Sequence, residues 1–494
     1  MKFKTRMINA AVAAALGTVA GAAQAVNISV DGGGSALIYP YYTMQTKGMN
    51  PFDTYLSVVN TDSQRGKAVK VRVLEPKNSK EVLDFNLYLS PNDVWTASIT
   101  RDSAGNPILR TTDNSCTSPQ IPVVSTVGTV VTREVAFVNF AYATDFALDG
   151  SLARAREGYV EMLLMADISS GATYSSSGTR TLLSDITHNT VGVPANCAAV
   201  SGGWSTGNLS TLGVGVTNPT GTLFGAETII NALEGIDIST NAVALANWSV
   251  TNTHSNPGAL NPNLADVNPQ VSLIMDGANS IVTDWSGFPN ISPVSAVFMR
   301  DAVYNEFVWG SGAVGLNTDW VVNFPTKVFH IAYGTSNTKT SADKPFTSSL
   351  TTSGACEAIT LVSYNREEAS SAALSFSPSG TQSLCWEVNV LSWGSSNVLG
   401  AQVTRSTIAV PYSEGWGRLT FGQTWIAPTA ATSRSVYGLI PLAGTANVTT
   451  STLFTATYTG LPVLGFATAT FVNNSSLASY GTLYDHRYSR KVSP

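Results

Sequence analysis

The sequence predicts a mainly β protein, with β-sandwich (immunoglobulin-like) domains and a small helical element in the central region. Three observations carry that expectation. Short runs alternate apolar and polar residues, clearest in Ala68–Leu74 and Asp84–Leu89. Turn residues punctuate these runs at Thr61–Ser63, Pro76–Ser79 and Ser90–Asp93, a rhythm of sandwiches rather than of βαβ units. Helical periodicity holds over only one good central stretch.

Taken in order, the chain opens on MKFKTRMINAAVAAALGTVAGAAQA. Lys2, Lys4 and Arg6 stand before a short apolar run that closes on Ala23 and Ala25, the order of a secretory signal peptide over residues 1–25 with cleavage before Val26. Residues 26–168 read as an N-terminal β-sandwich in which Val69, Val71 and Val73 face one side, with further strands at Val130–Phe140 and Gly158–Ile168. Residues 169–345 read as a Ser/Gly/Thr-rich insertion and central region. Its first part, Ser169–Thr222, has the composition of a loop system pinned by a disulfide. Ser292-Pro293 then starts a helix near 293–308, because Val294, Val297, Phe298, Val303, Tyr304, Phe307 and Val308 recur near helical spacing. A shorter helix is expected at Ala226–Leu233. From 346 to 494 a C-terminal β-sandwich is expected, with strands at Ala358–Tyr364, Cys385–Leu391, Gly400–Val410, Arg418–Phe421, Leu453–Tyr458 and Phe466–Val472.

Composition narrows the function. Over 494 residues the charged fraction is 12% and the net charge −5, with a pI near 5.4, so the clustered cations that bind nucleic acid or anionic lipid are missing. No stretch after Ala25 has the eighteen or so uncharged apolar residues of a membrane helix. The charged close Arg490–Pro494 is unlike the apolar last strand of an outer-membrane barrel. The four cysteines, in a chain bound for an oxidising compartment, read as two disulfides. Three connectivities exist, and the spacing favours Cys116–Cys197 with Cys356–Cys385. Zinc fits poorly, since no C-x-x-C spacing occurs.

Candidate chemistry is sparse. Gly203-Trp204-Ser205-Thr206-Gly207 matches the pattern of a serine nucleophile elbow, but the elbow needs a strand-to-helix turn and the flanks read as loop. His188, His254, His330 and His486 stand in separate contexts. Arg366-Glu367-Glu368 reads as a turn or an Arg–carboxylate clamp, with no second acid selected for glycosidase chemistry. Asn261, Asn263, Asp266 and Asn268 form an oxygen-rich loop that is the calcium candidate, with Asx turns as the alternative. No catalytic residue and no other cofactor is expected. Exposed Trp and Tyr stack on sugar rings, which makes Tyr39-Pro40-Tyr41-Tyr42, Trp386, Trp393, Trp416 and Trp425 a candidate sugar face. Burial is expected for most of them, with Trp386 packed beside Cys385.

Several segments together resemble secreted proteobacterial cell-surface, surface-layer-like proteins: Ser35–Thr43 (SALIYPYYT), Lys67–Arg72 (KAVKVR), Leu83–Pro91 (LDFNLYLSP), Asp319–Lys327 (DWVVNFPTK) and Gly460–Phe466 (GLPVLGF). The resemblance implies export to the exterior or cell surface of a Gram-negative bacterium, and it brings no catalytic residue. The leading expectation is a non-enzymatic structural protein whose partner is itself, as a surface layer, filament or matrix subunit assembling through an unpaired edge strand. A glycan-binding adhesin is the alternative, and an extracellular serine hydrolase ranks third.

Overall fold

A computed structural model describes residues 24–143, 145, 149–173, 180–209, 215–276, 279–310, 314–331, 342–371, 382–427, 436–441, 456–473 and 478–493. The proposed signal segment therefore lies outside the described residues up to position 23. Val26 is buried, and its N–H donates to the Val271 carbonyl at 2.9 Å.

The chain is mainly β, with several largely antiparallel sheets and few helices. In the N-terminal half an inner sheet runs in the spatial order Asn27–Ile28, Val243–Ala246, Ala36–Thr43, Glu157–Ile168, Gly66–Leu74, Glu81–Leu89, Cys116–Ser118. An outer sheet runs Val123–Val127, Val130–Ala136, Pro107–Thr111, Val94–Arg101, Asp53–Asn60, Leu223–Asn231, Ile236–Asn241. Val69, Val71, Val73, Phe85, Val160 and Met162 pack between the two sheets against Leu56, Val58, Trp95, Ile99 and Leu109.

Alternation predicts a solvated second face for the inner sheet. The structure buries it. Lys70 and Glu161 are fully buried there, and Arg72 Nη1 lies 2.7 Å from Glu161 Oε2. Lys70 bonds Asp84 and the carbonyls of Pro257 and Ala259, so the segment near 257–259 is laid over this face. Burying such charges is tolerable only because each has a partner.

Three expectations are corrected. The helix near 293–308 is confined to Ser292–Phe298, and Ala302–Val308 is a strand paired with Glu414–Thr420. That pairing buries Val303 and Phe307 with period 4, which helical spacing mimics. Ala226–Leu233 is also no helix. It belongs to the strand Leu223–Asn231, whose inward positions include Gly225, Glu227 and Asn231, so polar residues hide the period of two. Gly225 is required there, because a Cβ would stand 2.1 Å from the Tyr39 hydroxyl. Within Ser169–Thr222, read as loop, two short helices form at Leu182–Ile186 and Cys197–Ser205. Thr181 and Asn196 cap them by accepting from the N–H groups of Ser184 and Ala199, a local signal that Gly202 and Gly203 mask.

The C-terminal sandwich begins at Ala302 rather than at 346. One sheet runs Ser370–Ser371, Thr360–Tyr364, Glu414–Thr420, Ala302–Val308, Arg487–Ser489. The other runs Arg405–Ile408, Val388–Trp393, Val314–Asn323, Phe466–Asn473, Ala478–Asp485, with one parallel pairing, between the first two strands. Phe307 stacks on Trp393 at 4.0 Å in its core. Strands 223–231 and 243–246, placed by the sequence in the central region, belong to the N-terminal sheets. A third apolar cluster joins the halves, with Tyr41, Tyr159 and Leu163 on one side and Val321, Val388 and Leu399 on the other.

Both disulfides form as the spacing favoured, Cys116–Cys197 and Cys356–Cys385. The first fastens the edge of the inner sheet to the helix Cys197–Ser205, and the second lies beside the short pairing of Glu357–Ala358 with Ser383–Leu384, closing the segment between them. Neither bridges two facing sheets, where an immunoglobulin domain places its disulfide. Loops spanning 81 and 29 positions give about 4 to 5 and about 3 to 4 kcal/mol in the chain-entropy relation. Cys197→Ser is therefore expected to cost more stability than Cys385→Ser, as read by urea denaturation under non-reducing conditions. Equal midpoints for the two variants would contradict this.

Two buried carboxyls predict how stability varies with pH. Burial pushes Glu387 up to about 8 and Glu227 well above the usual carboxylate range. The unfolded chain releases these protons near 4.5, so their stabilisation is complete below that pH and is lost as pH rises toward 8. His254 and His486, lowered by burial to about 4, act oppositely, with a contribution complete above 6.5 and lost below it. Above pH 6.5 the two histidines no longer oppose the carboxyls. Stability is expected to rise as pH falls through that window, by up to about 1.4 kcal/mol per unit for each carboxyl. Glu387→Gln should flatten that slope in denaturation curves taken across the window, and an unchanged slope would contradict the assignment.

Candidate functional site

The outer sheet ends in a two-stranded ribbon. Its sequence, Val123–Thr132, reads VVSTVGTVVT: five Val, three Thr, one Ser and one Gly, with no charge and no proline. β-branched residues favour extended backbone, and a two-residue loop, Gly128-Thr129, joins the strands through the pair Val127 and Val130. Gly128 sits at φ +61° with open space around its Cα. Its need is conformational, as in tight hairpins.

Only Arg133–Ala136 of the second ribbon strand also pairs with the sheet, through Pro107–Thr111. The ribbon from 123 to 132 therefore projects past its neighbour. Every residue of Val123–Val127 is exposed, with Val123 at 56%, Val124 at 52% and Val127 at 76%. Among the described residues the outer edge of that strand has no partner strand. Charges appear only at the base, where Arg110 Nε meets Glu134 Oε1 at 2.6 Å and Arg133 bonds the Asn114 side chain. Natural edges are ordinarily blunted by Lys, Pro, inward charges or bulges; this one has only a register shift at Val124, and its composition is that of segments that pair between chains. The strand expected from Val130 is the second strand of this ribbon, and the uncharged β-branched run before it is the sequence signal for the first.

A second feature is a groove of about 540 Å³ on the C-terminal sandwich, lined by Tyr304, Asn305, Glu306, Trp416, Tyr484 and Arg487 among others. Trp416, 41% exposed, is the one Trp of the sugar-face candidates that stands exposed. Tyr39, Tyr41, Tyr42, Trp393 and Trp425 are buried in cores. Trp386 is half-buried against Gly354 at the disulfide hairpin, with Lys77 Nζ 5.0 Å from its ring centre.

The remaining candidates have structural partners. Ser205 lies in the last turn of its helix and donates to the Gly202 carbonyl at 3.2 Å, with no His hydrogen bond to it among the described residues. Two other Ser–His contacts exist. His188 Nδ1 is 3.2 Å from Ser90 Oγ and 3.6 Å from Asp93 Oδ2, so one ring nitrogen faces both groups, whereas a catalytic triad divides them between two. Ser295 Oγ is 2.8 Å from His330 Nε2, with both side chains buried from solvent. His254 contacts the Tyr88 hydroxyl and His486 the Val321 carbonyl. Arg366 Nη2 pairs with Glu414 Oε2 at 2.9 Å, the clamp reading of that turn.

In the calcium-candidate loop the oxygens face the chain itself. Asp266 Oδ2 accepts from the Asn263 N–H at 2.7 Å, Asn263 Oδ1 from the Ala265 N–H, and Asn261 Oδ1 from Asn263 Nδ2. Asn268 donates to Thr251 Oγ1. These are Asx turns, and Leu264 and Val267 anchor the loop in the core. No cluster of three or more His, Cys, Asp or Glu with metal-holding geometry occurs among the described residues, and no described helix is long and apolar enough to cross a membrane. Searches of protein-family models, curated proteins and solved structures find no match to this chain, so its surfaces carry the functional argument.

Proposed function

We propose that this chain is a secreted, non-enzymatic structural protein of the cell surface that assembles with copies of itself, as a surface layer, filament or matrix subunit. The observation that carries the reading is the projecting ribbon Val123–Thr132, uncharged, rich in valine and, among the described residues, unpaired along its outer edge. Exposed valines there have a favourable place only against another chain, and the free ladder supplies directional hydrogen bonds to it. Two disulfides suit an oxidising exterior. Low charge suits a surface that meets its own kind with little repulsion. Pairing of ribbon with ribbon would close a dimer, whereas pairing of a ribbon with a different edge would grow without limit; the proposal is the second.

The test is negative-stain electron microscopy and light scattering of residues 26–494, with calcium and with chelator. Sheets or fibres are expected. Isolated particles at every concentration would overturn the reading. The adhesin reading has its own observation, the Trp416 groove.

A further inference from the structure

We infer that the groove at Trp416 is a binding site for a neutral pyranose sugar. Cross-strand register places Tyr364, Trp416 and Glu306 side by side on the outward face of one sheet of the C-terminal sandwich. Tyr364 stacks on Trp416 at 4.5 Å with rings 16° from parallel. One face of the indole is thereby backed and held upright. The other face lies on the Glu306 side, toward the groove that both residues line.

The groove opens where a strand loses its neighbour. Ala302–Val308 pairs with Arg487–Ser489 only through Ala302, Val303 and Tyr304. Past Tyr304 that edge has no strand partner among the described residues, and the corner of Tyr484 and Asp485 stands beside it, fixed by Asn305 Nδ2 donating to both carbonyls at 3.4 and 3.3 Å. Tyr304 is committed as well, since its hydroxyl donates to the Tyr488 carbonyl at 3.2 Å.

The remaining polar groups are uncommitted. Among the described residues no hydrogen bond or ion pair engages the carboxylates of Glu306 and Asp485, the Arg487 guanidinium, the Tyr484 hydroxyl or the Trp416 indole N–H. Acceptors and a forked donor thus surround an aromatic wall. That set matches a pyranose, whose C–H face meets the negative face of an indole while its hydroxyls bridge carboxylate and guanidinium. The volume lies in the range of pockets that take small molecules. Two carboxylates against one guanidinium disfavour uronic and sialic acids, so the ligand is a neutral sugar. This inference stands apart from the assembly reading and uses a different surface.

The experiment is saturation-transfer-difference NMR on a ribbon variant of residues 26–494 that stays monomeric, or on the wild-type protein should it prove monomeric. The probes are methyl glucosides, galactosides and mannosides, the trisaccharides maltotriose and cellotriose, and sialic acid. At least one neutral probe is expected to bind. Trp416→Ala should weaken binding about tenfold or more, and Arg487→Ala should weaken it with the melting temperature unchanged. Tyr484→Phe provides a milder variant if either fails to fold. Absence of binding by every neutral probe, stronger binding of sialic acid, or neutral-probe binding unaffected by Trp416→Ala would each overturn the assignment. None of these outcomes bears on the ribbon.

Discussion

Val124→Lys combined with Val127→Lys is expected to leave the protein folded and to weaken the proposed assembly. Both valines stand largely in solvent on the unpaired ribbon strand, so changing them touches no core, and surface substitutions of this kind shift stability by about 0.5 kcal/mol or less. In an assembly the same side chains are buried. Removing two valines forfeits about 1.5 to 3 kcal/mol each, and placing ammonium groups on a paired edge adds repulsion, the device by which natural edges stay single. Association should weaken by about a hundredfold or more. Sedimentation velocity of wild type and variant, with thermal melts of both at dilute concentration, reads the two effects separately. A variant that assembles as the wild type does would place the contact elsewhere.

Glu157→Ala has the largest expected effect on the fold itself. Its carboxylate is fully buried between the two sandwiches. Oε1 accepts from Gln45 Nε2 at 2.7 Å and from the N–H groups of Gln402 and Val403 at 2.8 and 2.9 Å. Oε2 accepts from the hydroxyls of Thr404 and Tyr41. One residue of the N-terminal half thus gathers three donors from a loop of the C-terminal half. Truncation strands five donors, most of them buried, and each buried donor left unsatisfied costs about 1 to 3 kcal/mol, so a total loss of about 4 kcal/mol or more is expected. Because the loss falls on the junction, calorimetry should show the two sandwiches melting apart. A single transition lowered by less than about 1 kcal/mol would contradict the role assigned to Glu157.

Much of the fold is written in local pattern, and the exceptions have physical causes. The strands Gly66–Leu74, Glu81–Leu89 and Glu157–Ile168 were legible because Val69, Val71 and Val73, or Val160, Met162 and Leu164, repeat at period two. The burial of their other face was not legible. Lys70 and Arg72 look like solvent residues until Asp84, Glu161 and the carbonyls near 257–259 arrive from distant segments. Strand Leu223–Asn231 was hidden by its inward Gly225 and Glu227, a polar pair that only Tyr39 and the surrounding sheets explain. The helix Ser292–Phe298 was found and overextended, since Val303 and Phe307 satisfy a helical and a strand spacing alike. As for the surfaces, Trp416 was named among several aromatics, yet its exposure depends on pairing partners that sequence spacing does not reveal. Of the ribbon only the strand from Val130 was expected, although VVSTVGTVVT carries a signal, since a run without charge or proline is unusual for an exposed edge.

Hydrogen–deuterium exchange over residues 123–132, followed from dilute to concentrated protein, tests the central claim most directly. The account predicts fast exchange in dilute solution of those Val123–Val127 amides that face away from the second ribbon strand, and protection of them that appears together with the assembled species, because pairing with another chain fills the outer ladder. Assembled protein in which these amides exchange as fast as in the monomer, or a chain that stays monomeric throughout, would contradict it.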